Sequence, residues 1–194
     1  MKQLQIPIGI SNRHIHLSQG DLEKLFGEGY ELTNIKNLLQ TGEFAAEETI
    51  TVKGPKGTLE KVRVLGPIRP ATQVEISKTD SFKLGVDAPV RQSGQVGGAP
   101  GCILVGPKGE IEIQEGVIIA DRHIHMSPED AQVFDVKDGD RVSVYIDGAR
   151  ELTFHSVLIR VKSNFVLEFH IDTDEANACL VKNNDMVTLF KLKE

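Results

Sequence analysis

Four of the six histidines occupy two His-x-His pairs, His14 with His16 and His123 with His125. On a strand, residues two apart project from the same face, so each pair can aim two imidazoles at one point. That is half of a transition-metal site, since imidazole favours zinc, copper, iron or nickel over magnesium. Each pair lies inside a longer repeat. Ser11-Asn12-Arg13-His14-Ile15-His16-Leu17-Ser18 returns as Ala120-Asp121-Arg122-His123-Ile124-His125-Met126-Ser127. A repeated pair in a repeated frame argues for metal binding over a buried structural histidine ladder. A catalytic zinc takes three protein ligands and keeps one position open, so each pair needs a third donor. A second echo offers one per half: Val74-Glu75-Ile76-Ser77-Lys78-Thr79-Asp80 resembles Phe169-His170-Ile171-Asp172-Thr173-Asp174. Glu75 and His170 are the candidates, and solvent-facing strand positions are the plainer alternative for both. Glu75 lies four residues before Thr79, whereas His170 lies three before Thr173. Such a slip reverses the face of a strand, and a bulge in one copy would restore it.

Arginine supplies the next chemistry. Arg13 and Arg122 alternate away from the histidine pairs and are expected to face elsewhere, salt-bridging another layer or lining the site. Arg69 ends the run Val62-Arg63-Val64-Leu65-Gly66-Pro67-Ile68-Arg69 and lies six residues before Glu75. A fixed guanidinium near a metal suits phosphate or carboxylate, because its planar fork binds such oxyanions bidentately. A surface arginine beside a proline turn is the alternative. His155 has no partner pattern and reads as structural. Cys102 and Cys179 are too few for a disulfide framework or a four-thiolate zinc site, and read as buried small hydrophobes in a reducing cytoplasm. No Ser-His-Asp elbow, Walker loop or cysteine nucleophile is visible.

The elements that must carry these residues are short. Val62-Arg63-Val64-Leu65 stops at Gly66-Pro67, and Arg141-Val142-Ser143-Val144-Tyr145-Ile146 stops at the hairpin signal Asp147-Gly148. Ile111-Glu112-Ile113 leads through Glu115-Gly116 into Val117-Ile118-Ile119-Ala120. Each repeat follows an apolar run and then enters a short helix. Ser18 and Ser127 are N-caps, Pro128 suits a first turn, and Asp21 and Asp130 sit three residues after the caps. Lys137-Asp138-Gly139-Asp140-Arg141-Val142 echoes Lys182-Asn183-Asn184-Asp185-Met186-Val187, a smaller repeat within the second half. Gly94–Gly101 reads as a loop; its glycines do not link a strand to a helix, which excludes a dinucleotide-binding turn. The pattern is mainly β: two related halves, each one small barrel capped by short helices.

The chain has 194 residues, 40% hydrophobic and 26% charged, which suits a packed globular protein and excludes global disorder. With 28 acidic against 22 basic residues the net charge is −6, which argues against a nucleic-acid partner held by phosphate neutralisation. No apolar run approaches the ~18–20 residues of a membrane-spanning helix, and the N-terminus has no signal-peptide core. The tail Lys191-Leu192-Lys193-Glu194 is expected to be solvated.

The paired Arg-His-Ile-His motifs, with Gln73-Val74-Glu75-Ile76-Ser77 and His170-Ile171-Asp172-Thr173-Asp174-Glu175-Ala176-Asn177, resemble the PduL-type phosphate acyltransferases, the propanediol-utilisation phosphotransacylases. The resemblance covers nearly the whole chain. It implies conversion of propanoyl-CoA or acetyl-CoA plus phosphate to acyl phosphate plus CoA. It also implies two zinc ions, one on His14, His16 and Glu75, the other on His123, His125 and His170, with Arg69 on the phosphate. The implied fold is two β-barrels in interleaved order: residues 1–12 join 121–194, residues 13–120 form the other barrel, and residues near 27–47 form a small flap. Phe82, Val86, Pro89 and Val90 are candidate walls for the pantetheine arm of CoA. A homodimer is implied. Members sent into bacterial microcompartments carry an N-terminal amphipathic extension; here the histidine pair begins at residue 14, so a cytoplasmic enzyme is expected, with encapsulation by another route still open. A dinuclear zinc hydrolase and a closed-site metal scaffold fit the same residue types.

Overall fold

A computed structural model describes residues 5–190; the charged tail and the first four residues lie outside the described part. Strand β1 is Gln5–Ser11. There follow β2 (His14–His16), α1 (Gln19–Phe26), β3 (Asn34–Asn37), β4 (Phe44–Lys53) and β5 (Thr58–Gly66). Next come β6 (Gln73–Glu75), α2 (Lys78–Leu84), β7 (Val90–Arg91), β8 (Cys102–Val105), β9 (Glu110–Ile113) and β10 (Val117–Ala120). The last part holds β11 (His123–Met126), α3 (Pro128–Phe134), β12 (Arg141–Ile146), β13 (Leu152–Val161), β14 (Glu168–Asp172), α4 (Thr173–Cys179) and β15 (Met186–Phe190). Among the described residues no helix is long and apolar enough to cross a membrane.

The chain divides into two compact units. One combines the N-terminal strand, up to Ser11, with the chain from Asp121 onward; the other is Asn12–Ala120. The first unit is a closed barrel in the order β1-β14-β11-β13-β12-β15. The second is a half-barrel sheet. Its main sheet runs β7-β10-β6-β2-β5-β4-β8-β9 from edge to edge, with β3 added beside β4. Closure differs because β1 and β15 pair and complete the ring of the first unit, whereas the second unit ends on the two-residue edge strand β7 and on β9.

The strand before each histidine repeat crosses to the other unit. β1 precedes the first repeat yet runs parallel to β14, with Gly9 beside His170. β10 precedes the second repeat yet runs parallel to β6, with Ile118 beside Glu75. β10 is apolar on consecutive positions, as a strand covered on both faces must be, with Val117 and Ile118 fully buried, whereas β1 buries the alternate Ile6 and Ile8.

Each unit has its own core. Ile15, Leu17, Val62, Val64, Val74 and Leu104 are buried in one, and Ile8, Ile124, Met126, Phe169 and Ile159 in the other. The smaller echo builds the same turn twice. Asp140 accepts from the Lys137 amide at 3.0 Å, and Asp185 from the Lys182 amide at 2.8 Å. Tyr30 and the Thr33 amide both donate to buried Glu48 of β4, tying part of the expected flap segment to the sheet.

Candidate metal centres and oxyanion site

Strand alternation sorts the two repeats. Ile15 and Ile124 are fully buried in the two cores, which turns the flanking histidines to the opposite face. Each histidine strand then lies antiparallel to the strand carrying its third donor. His14 is opposite Glu75 and His16 opposite Gln73; His123 is opposite His170 and His125 opposite Glu168.

These registers are continuous, so neither the slip nor the bulge expected from the sequence exists. Thr79 and Thr173 are not equivalent positions. The equivalent ones are the helix caps, Ser77 accepting from the Asp80 amide and Asp172 from the Glu175 amide. Counted from the caps, Glu75 and His170 each lie two residues ahead, on the same face.

Two three-donor groups result. The ligand atoms of His14, His16 and Glu75 all lie within 4.8 Å of one another, as do those of His123, His125 and His170. The same backbone device orients the first histidine of each group: His14 Nδ1 lies 2.8 Å from the Asn12 carbonyl, and His123 Nδ1 2.8 Å from the Asp121 carbonyl. A donor at Nδ1 leaves the lone pair on Nε2, the tautomer a metal ligand needs. Both ring nitrogens of His125 are buried without a hydrogen-bonding partner among the described residues. Phe165 stacks on that ring at 3.9 Å between centroids. A buried imidazole with no protein partner, converging with two others, fits a transition-metal ion.

The electrostatics keep two of these imidazoles neutral, as a metal ligand must be. Burial pushes His16 down to about 3, helped by His14 and Arg69, so its imidazole is neutral at neutral pH. Burial, with His170 and His123, also drives His125 far below its ordinary value. For His14 burial is outweighed by the Glu75 carboxylate, 3.4 Å from Nε2, and its basicity rises. Burial likewise acts against ionised Glu75, but the two histidines and Ser93 hold its carboxyl well below the usual range.

Arg69 lies within this first group's network. Its backbone N–H donates to the Leu17 carbonyl at 2.9 Å, fixing the loop after β5. Its Nη1 donates to Ser93 Oγ at 2.9 Å, and Nη2 to Glu43 at 3.2 Å. Ser93 Oγ in turn donates to Glu75 Oε1 at 2.8 Å. One hydroxyl thus links the Arg69 guanidinium to the Glu75 carboxylate.

Arg13 and Arg122 turn away from the donors, as alternation predicts, and do the same work in each unit. Arg13 pairs with Asp80 at 2.8 Å and Arg122 with Glu175 at 2.7 Å, both acids being the third residue of the helix that follows the third donor. His155 lies apart from both groups, its Nδ1 2.8 Å from Ser143 Oγ. Both cysteines are free and buried, with the Cys102 thiol pushed up to about 12 by burial. Among the expected pantetheine walls, Phe82 and Val90 are exposed, and Val86 packs on the core.

The family model for phosphate propanoyltransferases matches residues 7–182. The chain belongs to the phosphate propanoyltransferase family. A Thermotoga maritima phosphate propanoyltransferase is 58% identical over 98% of this chain and 91% of its own length. The enzymes of that name from Lachnoclostridium phytofermentans and Salmonella typhimurium are 56% and 55% identical, over 95% and 94% of this chain and 87% of each relative. The protein is therefore an acyltransferase of the phosphotransacylase class.

Four residues beside the candidate groups were given no role by the sequence reading. Gln73 and Glu168 lie two residues before Glu75 and His170, and strand periodicity was the available signal for both. Glu168 Oε2 lies 3.0 Å from His170 Nε2, and its carboxylate packs close over Gly9, where a Cβ would make the glutamate side chain shift. Glu43 and Ser93 come from loops, where no spacing signals a site.

Proposed function

We propose that this chain transfers a propanoyl or acetyl group from coenzyme A to inorganic phosphate, using zinc at two three-donor groups. Zinc would be held by His14, His16 and Glu75 in one unit and by His123, His125 and His170 in the other. Bound there, it supplies Lewis acidity for a thioester carbonyl and a soft partner for a thiolate. The observation that carries the reading is Arg69, a guanidinium tied through one serine hydroxyl to a metal-donor carboxylate. A cation so placed holds a phosphate oxygen bidentately and fixes its approach. Phosphate oxygen then bonds to the acyl carbon, the carbon–sulfur bond breaks, and CoA leaves with the sulfur electron pair. Neither cysteine supports a covalent intermediate, because both thiols are buried and burial raises both above the ordinary thiol range. Transfer is direct.

Purified protein given propanoyl-CoA and phosphate should form a product that hydroxylamine captures as a hydroxamate. A product made only of free carboxylic acid would reject the assignment.

A further inference from the structure

We propose that Ser93, held by Gln73, is a positioning residue that aims Arg69 and thereby sets the affinity for phosphate. This rests on the assignment of phosphate to Arg69 made above. A serine hydroxyl offers one proton and two lone pairs, and Ser93 commits all three. It donates to Glu75 Oε1 at 2.8 Å and accepts from Arg69 Nη1 and Gln73 Nε2, each at 2.9 Å. Gln73 is equally committed: its amide nitrogen also donates to Glu75 Oε1, and its oxygen accepts from the Gly94 amide at 2.7 Å. The strand residue Gln73 thus pins the loop at residues 93 and 94, and the loop hydroxyl fixes the guanidinium against the carboxylate.

Because its proton already serves Glu75, Ser93 is not a nucleophile; it acts through Arg69. Without the hydroxyl, Glu43 is the one side-chain hydrogen-bond partner left to Arg69 among the described residues. A carboxylate on the fork competes with phosphate for the same N–H groups. Loss of Ser93 Oγ therefore weakens phosphate more than acyl-CoA.

Steady-state kinetics on the full chain separates the outcomes. Ser93→Ala should raise the KM for phosphate by roughly tenfold or more, the usual scale for a lost hydrogen bond to a charged group. The KM for acyl-CoA should stay at its wild-type value. Ser93→Thr keeps the hydroxyl and should restore most of the phosphate affinity. Gln73→Met, which keeps length but loses the amide, should reproduce the phosphate-selective defect. In an Arg69→Ala background, Ser93→Ala should add little to the loss in kcat/KM for phosphate, since both act on one contact. Equal rises in both KM values, or full additivity with Arg69→Ala, would overturn the inference. A wild-type enzyme that saturates with phosphate, beside a Ser93→Ala variant of unchanged phosphate KM, overturns this inference alone. A wild type indifferent to phosphate overturns the functional reading beneath it.

Discussion

At the scale of single residues, one buried imidazole without a hydrogen-bonding partner among the described residues and one hydrogen-bonded guanidinium matter most. His125 is buried with neither ring nitrogen satisfied, a cost that a metal ligand recovers and a structural histidine does not. Arg69 carries the phosphate half of the account. Removing a preorganised contact to a developing oxyanion commonly costs ~2.7–4 kcal/mol, about 10²–10³ in rate. Arg69→Ala should therefore lose turnover on that scale while keeping its fold and metal content. Arg69→Lys should recover only part, since an ammonium lacks the planar fork. Near-normal turnover of Arg69→Ala at low phosphate would reduce Arg69 to a surface residue. The histidine pairs were legible in the sequence because a spacing of two has one meaning on a strand and the frame occurs twice. Ser93 and Glu43 were not, since each reaches Arg69 from a loop more than 20 residues away, and a lone loop serine or glutamate carries no periodic signal.

The elements explain how such short strands hold rigid donors. Each three-residue register, His14-Ile15-His16 against Glu75-Val74-Gln73 and His123-Ile124-His125 against His170-Phe169-Glu168, is followed by a capped helix. An arginine beside the first histidine reaches that helix's third residue, closing each unit into strand, strand and helix. Asp80 is 3% exposed, and Arg13 Nε is its ion-pair partner. Arg13→Leu would leave that carboxylate without the pair, at a cost of about 1–3 kcal/mol. Urea unfolding should show the midpoint fall by that amount, with a similar loss for Arg122→Leu; a change within about 0.5 kcal/mol would make both pairs incidental. The one-residue slip shows how identity can mislead at this scale. Ser77 and Asp172 are interchangeable as N-caps, so the true alignment hides behind different letters, while Thr79 and Thr173 share a letter without sharing a position. Helices of seven or eight residues at Ser18 and Ser127 were legible from their caps. That one barrel closes fully and the other is a half-barrel was not, because closure depends on which edge strands meet.

For the whole molecule, the exchange of β1 and β10 is the organising fact. Each strand leads into one repeat and is buried in the unit holding the other, so the closed barrel is built from two separate stretches of chain while Asn12–Ala120 is continuous. The duplication predicts two metals seeded separately. Elemental analysis should find about two zinc ions per chain, with His14 and His16 changed together to Ala removing about one, and His123 with His125 the other. Loss of both ions from either double variant would contradict separate seeding. Whether an oxyanion and not water receives the acyl group is decided by titrating phosphate from zero while following release of CoA thiol from propanoyl-CoA. Release should be negligible without phosphate and saturable as phosphate rises; thiol release at an unchanged rate in phosphate-free buffer would make water the acceptor.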